Sequence, residues 1–115
     1  MEITFHDANE APQAPSDTRI IVLSAEPWPD GHRVSVQVQL TPYQQRPNLH
    51  ISICDAQGQE KASVGAVHIR QTQIAFTIHL RHLDTAGQYR VVAYVAYADP
   101  DLGIVDQAET TFEIH

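Results

Sequence analysis

Basic residues are few and scattered. Seven Lys and Arg stand against fourteen Asp and Glu, a formal charge of −7 over 115 residues. With no basic run, the chain lacks the clustered cations that following a phosphate backbone requires, which argues against a nucleic-acid partner. Cysteine is nearly absent. Cys54 stands alone, so no intrachain disulfide can form and a small disulfide-stapled scaffold is excluded. No apolar stretch approaches the length needed to span a bilayer, so no membrane insertion is expected. The start, MEITFHDANEAPQAPSD, has no basic residues leading into an apolar run and does not read as a secretory leader. These absences together set the expectation of a cytoplasmic protein. Helical periodicity is also missing throughout.

What is present is a period of two. In Arg33–Leu40 the residues Val34, Val36, Val38 and Leu40 face one way, and Ser35, Gln37 and Gln39 the other. Leu49, Ile51 and Ile53 form a second apolar row, and Ile74, Phe76, Ile78 and Leu80 a third. Each is the signature of a strand with one buried and one wet face. Further strands are expected over Arg19–Ala25, weakly over Glu60–Val64, and over Gly87–Tyr97 and Ile104–Ile114, with a short edge piece at His68–Ile69. Turn chemistry separates them: PWPDG at 27–31, TPYQQRP at 41–47, DAQG at 55–58 and ADPDLG at 98–103. The fold class expected is all-β, an antiparallel two-sheet sandwich of about seven strands. Residues 1–18 read as an N-terminal arm, with Ile3 and Phe5 on one side, followed by a proline-containing connection. Residues 19–115 form the sandwich domain.

The strand after Tyr89 is apolar on both faces. Its odd positions, Tyr89, Val91, Ala93, Val95 and Tyr97, are the expected core row, which leaves Val92, Tyr94 and Ala96 on the outer face. Leu80, Leu83, Asp84, Ala86 and Tyr89, with the strand that follows, resemble the turn between the fifth and sixth strands of immunoglobulin-type domains. The same stretch is similar to fibronectin type III domains, whose leucine-containing turn precedes a Tyr-x-Val-x-Val strand. The resemblance implies an immunoglobulin-like or fibronectin type III-like sandwich, and it gives Tyr89 the role of a tyrosine that holds the turn's backbone. It implies no disulfide here, since the positions near Val36 and Val91 carry no cysteine and no tryptophan stands near Ile51. It brings no catalytic residue and no ligand.

No constellation of reactive side chains emerges. His79 and His82 are three apart in a strand entering a turn, and His50 belongs to a different strand. Neither HxH nor HExxH occurs, so no metal and no cofactor are expected. Asp99, Asp101 and Asp106 miss the ligand spacing of a calcium loop. Cys54 and His50 lie too far apart along a strand to act as nucleophile and base, and Ser24 and Ser63 lack a nucleophile-elbow context. The expectation is a non-catalytic protein-contact or structural module. On the last strand, the row Ile104, Ala108, Phe112, Ile114 is expected in the core. The alternate row, including Val105 and Gln107, then joins Val92, Tyr94 and Ala96 outside as a face for a protein partner or a homodimer. Two other readings stay open. A carbohydrate-binding module would use exposed aromatics, for which Trp28 and Tyr43 are the candidates, although they fall in loops at opposite ends. A small hydrolase or metal-dependent enzyme would need a site assembled from distant segments.

Overall fold

The alternating segments do form strands. A computed structural model describes residues 11–80 and 86–114, and these contain seven strands and one short 3-10 turn, Pro15–Asp17. The strands are β1 (Ile20–Pro27), β2 (Arg33–Leu40), β3 (Asn48–Cys54), β4 (Glu60–Ala66), β5 (Gln73–His79), β6 (Gly87–Ala96) and β7 (Ile104–Ile114). Every pairing is antiparallel. One sheet has the order β1-β2-β5 and the other β4-β3-β6-β7, so the chain is a two-sheet β-sandwich. The segments expected to be weak or first in order, β4 and β1, both lie at sheet edges. His68 and Ile69 form no strand; they belong to the turn after β4.

The inward rows meet between the sheets. Val34, Val36, Val38 and Leu40 from β2 pack with Leu49, Ile51 and Ile53 from β3, and with Tyr89, Val91, Ala93 and Val95 from β6. Burying each of the larger chains stabilises the fold by about 1.5–3 kcal/mol relative to exposure. On one rung of the four-stranded sheet, Ala93 of β6 lies between Ile51 of β3 and Ala108 of β7. At one end, the β1–β2 turn closes through Trp28 N–H to the Arg33 carbonyl (2.8 Å) and Gly31 N–H to the Trp28 carbonyl (3.0 Å). Gly31 sits at φ +72°, where a side chain would be strained.

Residues 11–19, which include the 3-10 turn, are held against the sandwich. Gln13 bridges Tyr43 in parallel, its N–H donating to the Pro42 carbonyl at 2.8 Å. Thr18 is fully buried, its hydroxyl 3.0 Å from the Tyr97 hydroxyl. Tyr97 donates its one proton to the Gln45 carbonyl (3.0 Å), and Thr18 has one proton to share between the Tyr97 hydroxyl and the Ala14 carbonyl (3.4 Å). This chain of hydroxyls ties the connection before β1 to the end of β6. The expected arm residues Ile3 and Phe5, and the turn residues Leu83 and Asp84 of the tyrosine motif, lie outside the described residues.

One register change corrects the sequence expectation. Opposite β6, Ala96 pairs with Ile104, while Val95 pairs with Asp106, leaving Val105 as the extra residue of a β-bulge. The bulge reverses the facing of β7 at that point. Ile104, expected in the core, is 61% exposed, and Val105, expected outside, packs against the core. Asp106 gains a structural task from the same shift. Its Oδ2 accepts the Ile20 backbone N–H at 2.7 Å, joining the start of β1 to β7 across the sandwich. Hydrogen bonds to a carboxylate contribute about 1.5–3 kcal/mol. Asp106→Ala is therefore expected to lower the unfolding free energy by about 2 kcal/mol in urea denaturation, with Asp106→Asn losing less.

Candidate functional site

The outer face of the four-stranded sheet carries an apolar groove, with the exposed Val67 and Ile104 at its sides. Cross-strand register sets its rows. Gly65, His50, Tyr94 and Gln107 form one rung, and Ser63, Ser52, Val92 and Glu109 the next. Toward the β7 bulge come Asn48, Ala96 and Ile104. Small residues at Gly65 and Ala96 leave a groove of about 460 Å³, walled by His50, Tyr94, Val67 and Ile104. The His50 and Tyr94 rings are tilted at 34° with centroids 6.3 Å apart.

The two walls are aimed outward by local backbone chemistry. His68 adopts φ +50°, unfavourable for a residue with a side chain. Its N–H is captured by Asn48 Oδ1 at 2.9 Å, and the next N–H, from Ile69, donates to the Pro47 carbonyl at 2.9 Å. That turn leaves Val67 74% exposed. On the opposite side, the β7 bulge turns Ile104 out.

Of the residues expected on this face, Tyr94 and Ala96 line the groove, and Gln107 neighbours Tyr94 on the adjacent strand. Val92 shares the face but is buried. Val105 does not belong to it, for the bulge points it inward. Ile104 and Val67 escaped sequence reading. Gly103 before β7, at φ +56°, was the available hint that the register breaks there.

The aromatic candidates are separated by the eight residues of β2, as expected from their loops. Neither is fully exposed. Trp28 donates from Nε1 to Ser35 Oγ at 2.8 Å, and the Arg33 guanidinium lies 3.9 Å from the centre of its ring. Arg33 also pairs with Asp30 at 2.7 Å. The His32 N–H and then the Arg33 guanidinium hold the Asp30 carboxyl below its ordinary range. One indole face is therefore occupied. Tyr43 donates its hydroxyl to the Ile69 carbonyl at 2.7 Å, bracing the turn that presents Val67.

Burial pushes the Tyr43 phenol above its usual pKa, with Tyr97 adding to the rise and Arg46 opposing it. A raised folded-state value means that the folded chain holds this proton more tightly than the unfolded chain. The resulting stability is present below the ordinary tyrosine pKa of about 10 and is lost as pH rises through the folded value. As pH rises above about 10, wild type is expected to lose stability more steeply than Tyr43→Phe, measured by urea unfolding at a series of alkaline pH values.

The remaining reactive side chains do not converge. Among the described residues no group of three or more His, Cys, Asp or Glu is placed to hold an ion. Asp99 Oδ1 accepts the Asp101 N–H at 2.9 Å, an Asx turn, while Asp106 is committed to Ile20. His50 and His79 lie on the outer faces of different sheets, and His82 is outside the described residues. Cys54 Sγ is 3.8 Å from Ser52 Oγ, and Ser52 donates to Glu60 Oε1 at 2.7 Å. No helix among the described residues is long and apolar enough to cross a membrane.

No family model and no curated protein sequence matches the chain. Solved structures do share its fold. The β-glucuronidase of Bifidobacterium dentium matches with a TM-score of 0.64 at 20% identity, over 85% of this chain and 18% of that one. A glycosyl hydrolase family 2 member from Bacteroides cellulosilyticus matches with a TM-score of 0.63 at 12% identity, over 84% of this chain and 15% of that one. The β-glucuronidase of Ruminococcus gnavus gives a TM-score of 0.53 at 14% identity, over 85% of this chain and 16% of that one. The class they define is the two-sheet β-sandwich. The chain spans less than a fifth of the length of each of these enzymes.

Proposed function

We propose that the chain is a non-catalytic protein-contact module, that its contact surface is the outer face of the β4-β3-β6-β7 sheet, and that the occupant is a second copy of the chain. The observation that carries this reading is the pair of exposed walls, Val67 and Ile104, flanking an apolar groove. Isolated exposed apolar residues are common, but two of them beside one groove mark a contact surface. Charge favours a second copy. The chain carries fourteen acids, yet no Asp or Glu lines this groove. Two molecules of charge −7 can bring these grooves together without setting carboxylates against each other inside them, Glu109 lying one rung away on the same face. A two-fold arrangement would let Ile104 of each copy fill the other's groove, a self-complementary contact.

The strand partition supports the fibronectin type III-like side of the resemblance. In constant-type immunoglobulin domains the first, second, fourth and fifth strands share a sheet, whereas β4 here lies beside β3. The fold's recurrence as a small fraction of long glycoside hydrolases supports the module reading and lends nothing to catalysis by this chain. Light scattering after size exclusion, at two protein concentrations, tests the proposal. A mass near twice 12.8 kDa that falls on dilution is expected. A monomer at high concentration would overturn self-association.

A further inference from the structure

The other sheet has its own groove, of a different character. It lies on the outer face of β1-β2-β5, has a volume of about 330 Å³, and is lined on that face by Val22, Gln37, Gln39, Gln73 and Ala75. Register explains the gathering of amides. Gln39 pairs with Val22 on one side and Gln73 on the other, and the next rung is Ser24, Gln37 and Ala75. No ionised group lines the groove, although the chain as a whole is strongly acidic.

Gln39 is the anomaly. It is only 7% exposed, and among the described residues its side-chain amide makes no hydrogen bond. Buried polar groups are almost always satisfied, because an unpartnered one costs stability. At this position an apolar side chain would serve the fold better. The exception therefore points to a partner from outside: solvent in the free protein, and a ligand that replaces the solvent when bound.

We propose that this groove is a binding site for a neutral saccharide, with Gln39 as its central contact and Gln37 and Gln73 beside it. An amide offers two donor hydrogens and one acceptor oxygen, and a sugar hydroxyl can answer either. The backbone positions that carry the amides stand about 4.8 Å apart across strands and about 6.7 Å apart along one, within reach of hydroxyls on one pyranose ring for flexible glutamine side chains. With no cation in the lining, carboxylated or phosphorylated ligands find no counter-charge. A peptide adding as a strand would sit beyond β1 or β5, outside the groove, because β2 beneath the groove is paired on both sides. No aromatic ring lines the groove, so the hydrogen bonds of the amides would carry the binding.

The test follows the side-chain amide signals of the whole ¹⁵N-labelled chain during titration with cellohexaose, mannohexaose and xylohexaose, and separately with an acetylated, amidated Gly-Ser peptide. The expected result is saturable movement of the Gln37, Gln39 and Gln73 amide pairs with at least one saccharide. Gln39→Met should weaken that binding about tenfold, the equivalent of one hydrogen bond, while the melting temperature stays level or rises. If Gln39→Met fails to fold, Gln39 is a structural residue and the central contact is wrong. The exposed Gln73→Ala then decides whether the groove binds saccharide at all. Silence with all three saccharides at millimolar concentration overturns the site, as does movement of the same amides with the peptide alone.

Discussion

Tyr89→Ala is expected to cost about 3–5 kcal/mol, enough to unfold much of the population of a domain of ordinary stability. The phenol ring is 2% exposed and stacks on Phe112 across the β6–β7 pair, with centroids 5.3 Å apart and planes 12° from parallel. Removing it strips a large apolar area from the core and leaves Phe112 facing a void that neighbouring strands cannot close without breaking register. The stacked pair adds about 0.5–1.5 kcal/mol beyond area alone. Tyr89→Phe separates the two parts of the tyrosine. It keeps the ring and the stacking, so it is expected to retain most of the stability, and what it loses measures the hydroxyl. Urea denaturation of both variants checks the ordering: Ala far below Phe, with Phe slightly below wild type. A Phe variant as damaged as the Ala variant would show that the hydroxyl, not the ring, is what matters at Tyr89.

The core was legible because it obeys a simple period. Val34 to Leu40 and Leu49 to Ile53 alternate without a break, and every inward residue so assigned is buried. The two-faced strand β6 was legible in the same way. Its odd row, from Tyr89 to Tyr97, is the buried one. What the period hides is a break in itself. A bulge adds one residue without altering composition, so Ile104 and Val105 exchanged faces unannounced. Val67 is exposed because His68 takes a left-handed conformation that Asn48, twenty residues earlier, supports. Thr18 is buried by a tyrosine 79 positions away. Gln39 lies on the outer face that alternation assigns it, yet it is buried. Each of these depends on contacts distant in sequence, and the candidate sites are built from them.

Ile104→Asp is expected to abolish self-association while leaving the fold intact. In the free chain Ile104 is largely solvent-exposed, so an aspartate there should alter stability by no more than about 0.5 kcal/mol. In a two-fold dimer the same substitution acts twice. Each copy loses an apolar anchor and places a carboxylate into the partner's groove beside Tyr94 and Ala96. Loss of a central anchor costs roughly 2 kcal/mol or more, so two such losses predict at least 100-fold weaker dimerisation. Tyr94→Asp should do the same from the groove's wall. If the copies instead met through edge strands, neither substitution would matter, because pairing there uses backbone groups. The edge strand β4 already carries Lys61, paired with Asp55 at 3.7 Å, a charge that discourages such pairing. The N-terminal arm is the competing occupant, with Ile3 and Phe5 as its apolar residues. Deleting residues 1–10 distinguishes the two. A wild-type dimer that survives the deletion and dissociates in Ile104→Asp supports contact between copies. A wild-type monomer that becomes a dimer only after the deletion assigns the groove to the chain's own arm and overturns the homodimer.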